Sequence, residues 1–198
     1  MELALLYSGG KDSTLAALLL DDFYDVSLVT ARFGITDDWR HARDAADHLG
    51  YPFRTVDVAV DVAEAAVERM CEDGYPRNGI QHAHEGALEA VAALDVDAVA
   101  DGTRRDDRVP TISRAQAQSL EDRHGVDYLS PLAGLGRHAV DRLAEKTLQV
   151  ETGPSESIPK GDYEAELRAL IADEAGDAAV ESVFPDHVQS YVHGLREE

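Results

Sequence analysis

Between the apolar runs Leu3-Ala4-Leu5-Leu6 and Leu15-Ala16-Ala17-Leu18-Leu19-Leu20 stands the octapeptide Tyr7-Ser8-Gly9-Gly10-Lys11-Asp12-Ser13-Thr14. A turn from strand to helix needs one capping Ser or Asp. This one packs three hydroxyls, two glycines, a cation and a carboxylate together. Those types suit an anion. Gly9 and Gly10 permit positive φ and close backbone approach, Ser8, Ser13 and Thr14 donate, and Lys11 adds charge. A helix starting near residue 13 would point its free N–H groups into the same turn. Two standard phosphate motifs do not fit. A Walker A loop would place Gly at Leu5 and Ser or Thr at Asp12, and a dinucleotide fingerprint would place Gly at Lys11. Asp12 is the informative misfit. A carboxylate inside an anion nest is unfavourable unless a divalent cation, bound with the phosphates, offsets its charge.

The elements that must position this turn follow from hydrophobic periodicity. Strands are predicted at 2–7, 25–33, 52–58, 96–100 and 126–130, several of them apolar on both faces as buried parallel strands are. Helices are predicted near 13–20, 39–49, 60–72, 79–94, 111–124, 137–148 and 163–175, the last with the stripe Tyr163, Leu167, Leu170 and Ile171. Strand and helix alternating in this way predict a doubly wound, mostly parallel five-stranded α/β sheet with helices on both faces. In such a sheet ligands sit beyond the carboxyl ends of the strands. The stretch 151–161 lacks periodicity and reads as a loop, which divides the chain into a main unit at 1–150 and a loop-and-helix extension at 151–198 packed on it.

Composition narrows the setting. With 198 residues and 44% apolar side chains the chain forms one ordinary domain, and no apolar run is long enough to span a bilayer. No cationic segment precedes the first apolar stretch, so no secretory signal is expected. The single cysteine, Cys71, excludes an internal disulfide and leads us to expect a cytoplasmic protein without a disulfide-linked partner. The net charge is −21, from 39 acidic and 18 basic residues, and the acids are spread through every segment. Self-repulsion of this size is tolerable in concentrated salt, so the expectation is a salt-adapted, halophilic protein. The same charge argues against a broad basic footprint for nucleic acid.

Ser8-Gly9-Gly10-Lys11-Asp12-Ser13 resembles the S-G-G-x-D-S pyrophosphate loop of the N-type ATP pyrophosphatases, the PP-loop superfamily. Its members include tRNA thiolation enzymes, GMP and NAD synthetases, asparagine synthetase and the diphthamide ligase. They cleave ATP between the α and β phosphates and adenylate a carbonyl or carboxylate oxygen, and a nitrogen or sulfur nucleophile then displaces AMP. Asp101-Gly102-Thr103-Arg104-Arg105-Asp106-Asp107 looks like the family's segment at the end of the fourth strand, and Ser130-Pro131-Leu132-Ala133-Gly134-Leu135 like its strand-to-helix exit. The resemblance covers about residues 1–150 and supplies no acceptor.

It implies ATP and Mg²⁺ as cofactors. Ser8, Gly9, Gly10, Ser13 and Thr14 would take the β and γ phosphates, with Asp12 close to magnesium. The strand end at Thr30, Ala31 and Phe33 would take adenine by backbone contacts, and Gly102 and Thr103 would line the nucleotide. Asp101 is a second metal candidate, against a turn-capping role. Lys11, Arg104, Arg105 and Lys160 are candidates to approach phosphate, against surface pairing or solvation. The acceptor is either a small carboxylate or carbonyl compound or a tRNA base, and a non-catalytic nucleotide sensor is the reading from another class. Whether the chain works as a homodimer or with a partner subunit stays open. His82 and His84, two apart, diverge on a helix, and His84 reads as a hydrogen-bonded core histidine. Cys71 reads as a buried structural thiol at the edge of an apolar stripe.

Overall fold

The computed structural model describes residues 1–196 apart from Glu156 and Lys160. Strands β1 (Glu2–Leu6), β2 (Asp25–Arg32), β3 (Phe53–Asp57), β4 (Ala98–Ala100) and β5 (Asp127–Leu129) form one sheet in the order β3-β2-β1-β4-β5. All four pairings are parallel, with Leu3 opposite both Val26 and Ala98. Parallel neighbours require crossovers, supplied by α1 (Lys11–Leu20), α2 (Trp39–Leu49), the tandem α3 (Val60–Asp73) and α4 (Arg77–Ala92), and α5 (Arg114–His124). The doubly wound α/β sheet expected from the alternation is therefore present.

β1 is apolar on both faces because both are covered. Leu3 and Leu5 pack with Leu15 of α1, Ala42 and Ala45 of α2, and Val140 of α6 (Arg137–Thr147). Ala4 faces the other way, toward Leu88 and Val91 of α4 and Leu120 of α5. Each fully buried leucine contributes about 1.5–3 kcal/mol relative to exposure. The chain leaves β1 toward β2 and β3 and returns to its other side through β4. The connections after β1 and β4 thus run to opposite faces, and a crevice opens at their carboxyl ends.

Beyond β5 the structure departs from the sequence reading. β6 (Leu148–Pro154) pairs antiparallel with β7 (Val188–Leu195) in a separate two-stranded sheet, and α7 (Tyr163–Ala175) and α8 (Asp177–Val183) lie between them in the chain. The loop expected over 151–161 is strand as far as Pro154, and β6 crosses residue 150. Gly153 and Pro154 are types depleted in strands, and most of β6 is exposed, so local periodicity hides it. Cys71 also corrects its expectation. The thiol is exposed, because the neighbouring Met70 takes the buried stripe of α3 and residue 71 turns toward solvent.

Among the described residues, Asp101 and Glu166 are the acids in the buried class, so the remaining negative charge is carried at or near the surface. Melting temperature is therefore expected to rise from dilute buffer to molar salt, as the Debye length shrinks to about 3 Å. Thermal melts in increasing KCl check this, and equal or greater stability in dilute buffer would exclude acid–acid repulsion as a main destabilising term. No helix among the described residues is long and apolar enough to cross a membrane.

Candidate functional site

The turn after β1 is built by its glycines. Gly9 adopts φ 80°, a conformation that side chains with a Cβ rarely hold, and Gly10 precedes α1 with no side-chain cap. The helix starts at Lys11, earlier than expected, which puts Lys11 and Asp12 in its first turn. Ser8 Oγ and Ser13 Oγ lie 3.2 Å apart, and Gly10 N–H donates to Ser8 Oγ at 3.3 Å. Ser13 and Thr14 both donate their hydroxyls to Gly10 O. Thr14 is fully buried and also bonds the Tyr7 hydroxyl at 3.1 Å, so its side chain fastens α1 to the strand end rather than facing the crevice.

Charge is arranged as a chain across the crevice. Lys11 Nζ lies 2.7 Å from Asp12 Oδ1 and 3.4 Å from Asp141 Oδ1. Arg104 Nε is 3.5 Å from Asp12 Oδ2, and the same guanidinium grips Asp107. Burial works against the Arg104 charge, but Asp107 and Asp12 outweigh it and hold the guanidinium above its ordinary range.

At the end of β4, Asp101 is almost fully buried and accepts four hydrogen bonds. Thr103 N–H and Oγ1–H reach Oδ1 at 3.0 and 2.6 Å. His84 Nε2 and the Tyr128 hydroxyl reach Oδ2 at 3.0 and 2.8 Å. Burial would raise this carboxyl, yet the bonds from His84 and Thr103 prevail and keep it below the usual carboxylate range. Burial, with the Asp101 charge, pushes the Tyr128 hydroxyl up, so it stays a donor. His84 Nδ1 meets the Tyr163 hydroxyl at 3.0 Å, which in a neutral imidazole donating to Asp101 makes Tyr163 the second donor. His84 is thus the hydrogen-bonded core histidine its position predicts. Tyr163, which bonds His84, and Tyr128, which bonds Asp101, come from distant segments, and sequence reasoning missed both contacts.

Gly102 brings the two strand ends into backbone contact. A Cβ there would lie 2.7 Å from Ser13 N and 2.8 Å from Ser13 Cα. Two cavities lie beside the turn. One, of about 150 Å³, is walled by Thr30, Ala31, Gly102 and Thr103. The other, of about 630 Å³, is walled by Gly10, Lys11, Arg104 and the hairpin residue Ser190. Ser8, Asp12 and Asp162 line both. Ser13 and Asp101 face the smaller cavity.

Of the sequence candidates, Gly9, Thr14, Phe33 and Arg105 lie off these walls. The Arg105 guanidinium rests against Gly136, where a Cβ would meet it at 2.6 Å. Phe33 is buried, and its N–H is taken by Glu166 Oε2 at 2.7 Å. Lys160 lies outside the described residues. Among those described, no cluster of three or more His, Cys, Asp or Glu side chains is set to hold a metal.

Glu166, on α7, was not singled out by the sequence. Its carboxylate accepts from the N–H groups of Phe33, Ile35 and Thr36, tying α7 to the end of β2 beside the smaller cavity. The detectable signal is an acid at the third residue after Tyr163, within the apolar stripe of α7. Glu166→Gln turns an amide NH₂ toward backbone donors and is expected to cost about 1.5–3 kcal/mol, measured by denaturant melts. An unchanged midpoint would contradict this fastening role.

The chain is 37% identical to an uncharacterized protein of Methanocaldococcus jannaschii over 199 residues, spanning 100% of this chain and 98% of that one. A solved structure described as a predicted subunit of tRNA methyltransferase from Methanocaldococcus jannaschii matches with a TM-score of 0.90 and 36% identity, covering 100% of this chain and 99% of the other. The U34-tRNA thiolase NcsA of Methanococcus maripaludis, solved with its [4Fe-4S] cluster, matches at TM-score 0.43 and 19% identity over 73% of this chain and 56% of its own. A family model described as "Family of unknown function (DUF7411)" matches residues 1–194, and the chain belongs to that family.

Proposed function

We propose that the crevice binds ATP with magnesium and that the protein is an adenylating ATP pyrophosphatase of the cytoplasm. One observation carries the reading. The Ser8–Ser13 turn stands at the β1/β4 switch point, where a small cavity and a larger charged one meet. In this reading adenine and ribose lie at the mouth of the smaller cavity, against Thr30, Ala31, Gly102 and Thr103. The β and γ phosphates fit the turn, met by Ser8, Ser13, the α1 N–H groups, Lys11 and Arg104. Catalysis then rests on positioning and charge neutralisation at phosphorus, with no covalent protein intermediate.

Asp12 suits magnesium. It is a hard oxygen ligand, its side chain is 29% exposed, and one carboxylate with phosphate oxygens and water is a common magnesium environment. The bound ion would neutralise phosphate charge. Asp101 spends its oxygens on four protein donors, so its role in this reading is to position Thr103 and His84.

A second reading makes the chain one subunit of a tRNA-modifying assembly. It is supported by the solved relative at 36% identity, whose description names a tRNA methyltransferase subunit. With a net charge of −21, RNA docking would fall to a partner subunit. The experiment incubates the protein with ATP, magnesium and cell-extract fractions, with and without RNase. Extract-dependent AMP and pyrophosphate are expected. RNase-sensitive release places the acceptor on RNA and RNase-resistant release on a small molecule. ATP binding without release in any fraction would favour a nucleotide sensor.

A further inference from the structure

The C-terminal hairpin reaches the turn between β1 and α1. Val192 N–H donates to Gly9 O at 3.0 Å, and Lys11 N–H donates to Ser190 Oγ at 3.2 Å, across 179 residues of chain. Lys11 N–H is among the first α1 donors, which have no acceptor within the helix and are the groups an incoming anion would take. Ser190 therefore stands beside the phosphate position, and it lines the 630 Å³ cavity together with Gly10, Lys11 and Asp12. A hydroxyl that accepts one hydrogen bond still has its own proton to give. Among the described residues that proton meets no acceptor.

We propose that Ser190 is a ligand of the polyphosphate. It accepts from Lys11 N–H and donates to a phosphate oxygen, so the hairpin completes a cradle that the first turn begins. The inference rests on the ATP reading above and adds to it a binding residue outside the sequence motif. Ser190 is the side chain that makes ATP affinity depend on the hairpin, and it favours ligands carrying a β phosphate over AMP.

The test is calorimetric titration of the intact protein with ATP, pyrophosphate and AMP in magnesium buffer, with thermal melts alongside. Ser190→Ala is expected to weaken ATP and pyrophosphate by about tenfold, roughly one charge-assisted hydrogen bond, and to leave AMP unchanged. Ser190→Thr keeps the hydroxyl and should stay within about threefold of the parent protein. Ser190→Asp puts a carboxylate at the positive end of α1. It should hold or raise the melting temperature while weakening ATP by about a hundredfold or more through repulsion.

Ser190→Ala binding ATP as tightly as the parent, or more tightly, overturns the proposal. The second of these results would identify Ser190 as a plug that phosphate displaces. Ser13→Ala is the control for the site itself. If the parent binds ATP and Ser13→Ala weakens it while all three Ser190 variants match the parent, only the Ser190 inference fails. A parent protein that binds no ATP removes both.

Discussion

Asp12→Asn is expected to lower ATP-dependent pyrophosphate release by about a hundredfold or more while the protein stays folded. The substitution keeps the side-chain shape and removes one charge from a turn that otherwise attracts anions. Lys11 keeps Asp141 and Arg104 keeps Asp107, so neither cation is stranded. What is lost is the carboxylate proposed to share magnesium with the phosphates, and losing one well-placed electrostatic group commonly costs two to three orders of magnitude. The measurement is AMP and pyrophosphate formation with the active extract fraction, beside a thermal melt. Cys71→Ser serves as the comparison. The thiol is exposed on α3 and absent from the walls of both cavities, so release should be unchanged. Activity that survives Asp12→Asn and disappears with Cys71→Ser would replace the metal-centred account with thiol-based sulfur transfer.

Gly102→Ala should remove most ATP binding and destabilise the fold by about 1–3 kcal/mol, the usual cost of forcing extra volume into a tight contact. Its Cβ would be driven to 2.7–2.9 Å from backbone atoms of Asp12 and Ser13, which cannot swing aside as a flexible side chain does. Either α1 shifts away from the end of β4 or the β4 turn opens, and both separate the turn proposed to hold phosphate from the wall proposed to hold ribose. Gly134→Ala is the matched control, since a Cβ there meets nothing within 4 Å. Denaturant melts and ATP titration of both variants decide it. Gly102→Ala behaving like Gly134→Ala would mean that the contact between the two strand ends is not needed.

What the sequence revealed and what it hid divide along separation in the chain. The Ser8–Ser13 turn and the five sheet strands are local patterns, with neighbouring residues carrying the whole signal, so both were legible. Asp101-Gly102-Thr103 was legible as a turn at a strand end. Its hydrogen-bond partners His84 and Tyr128, and Tyr163 behind His84, were not, because each arrives on a different element. The hairpin was hidden for a similar reason. β6 is mostly exposed and contains Gly and Pro, and its partner β7 enters after two intervening helices. Ser190 and Glu166 act on backbone N–H groups more than a hundred residues away, and no spacing rule reports such contacts.

The central claim is that one ATP lies across the two cavities, with its base at the end of β2 and its terminal phosphates on the turn after β1. A crystal structure with α,β-methylene ATP and magnesium tests it most directly, because that analogue resists cleavage at the bond in question. The account predicts adenine against Thr30 and Ala31, ribose at Gly102–Thr103, and the β and γ phosphates within hydrogen-bond distance of the Ser8, Gly10 and Ser13 groups. A nucleotide seated at the amino ends of the strands, or crystals that take up none at millimolar concentration, would contradict it.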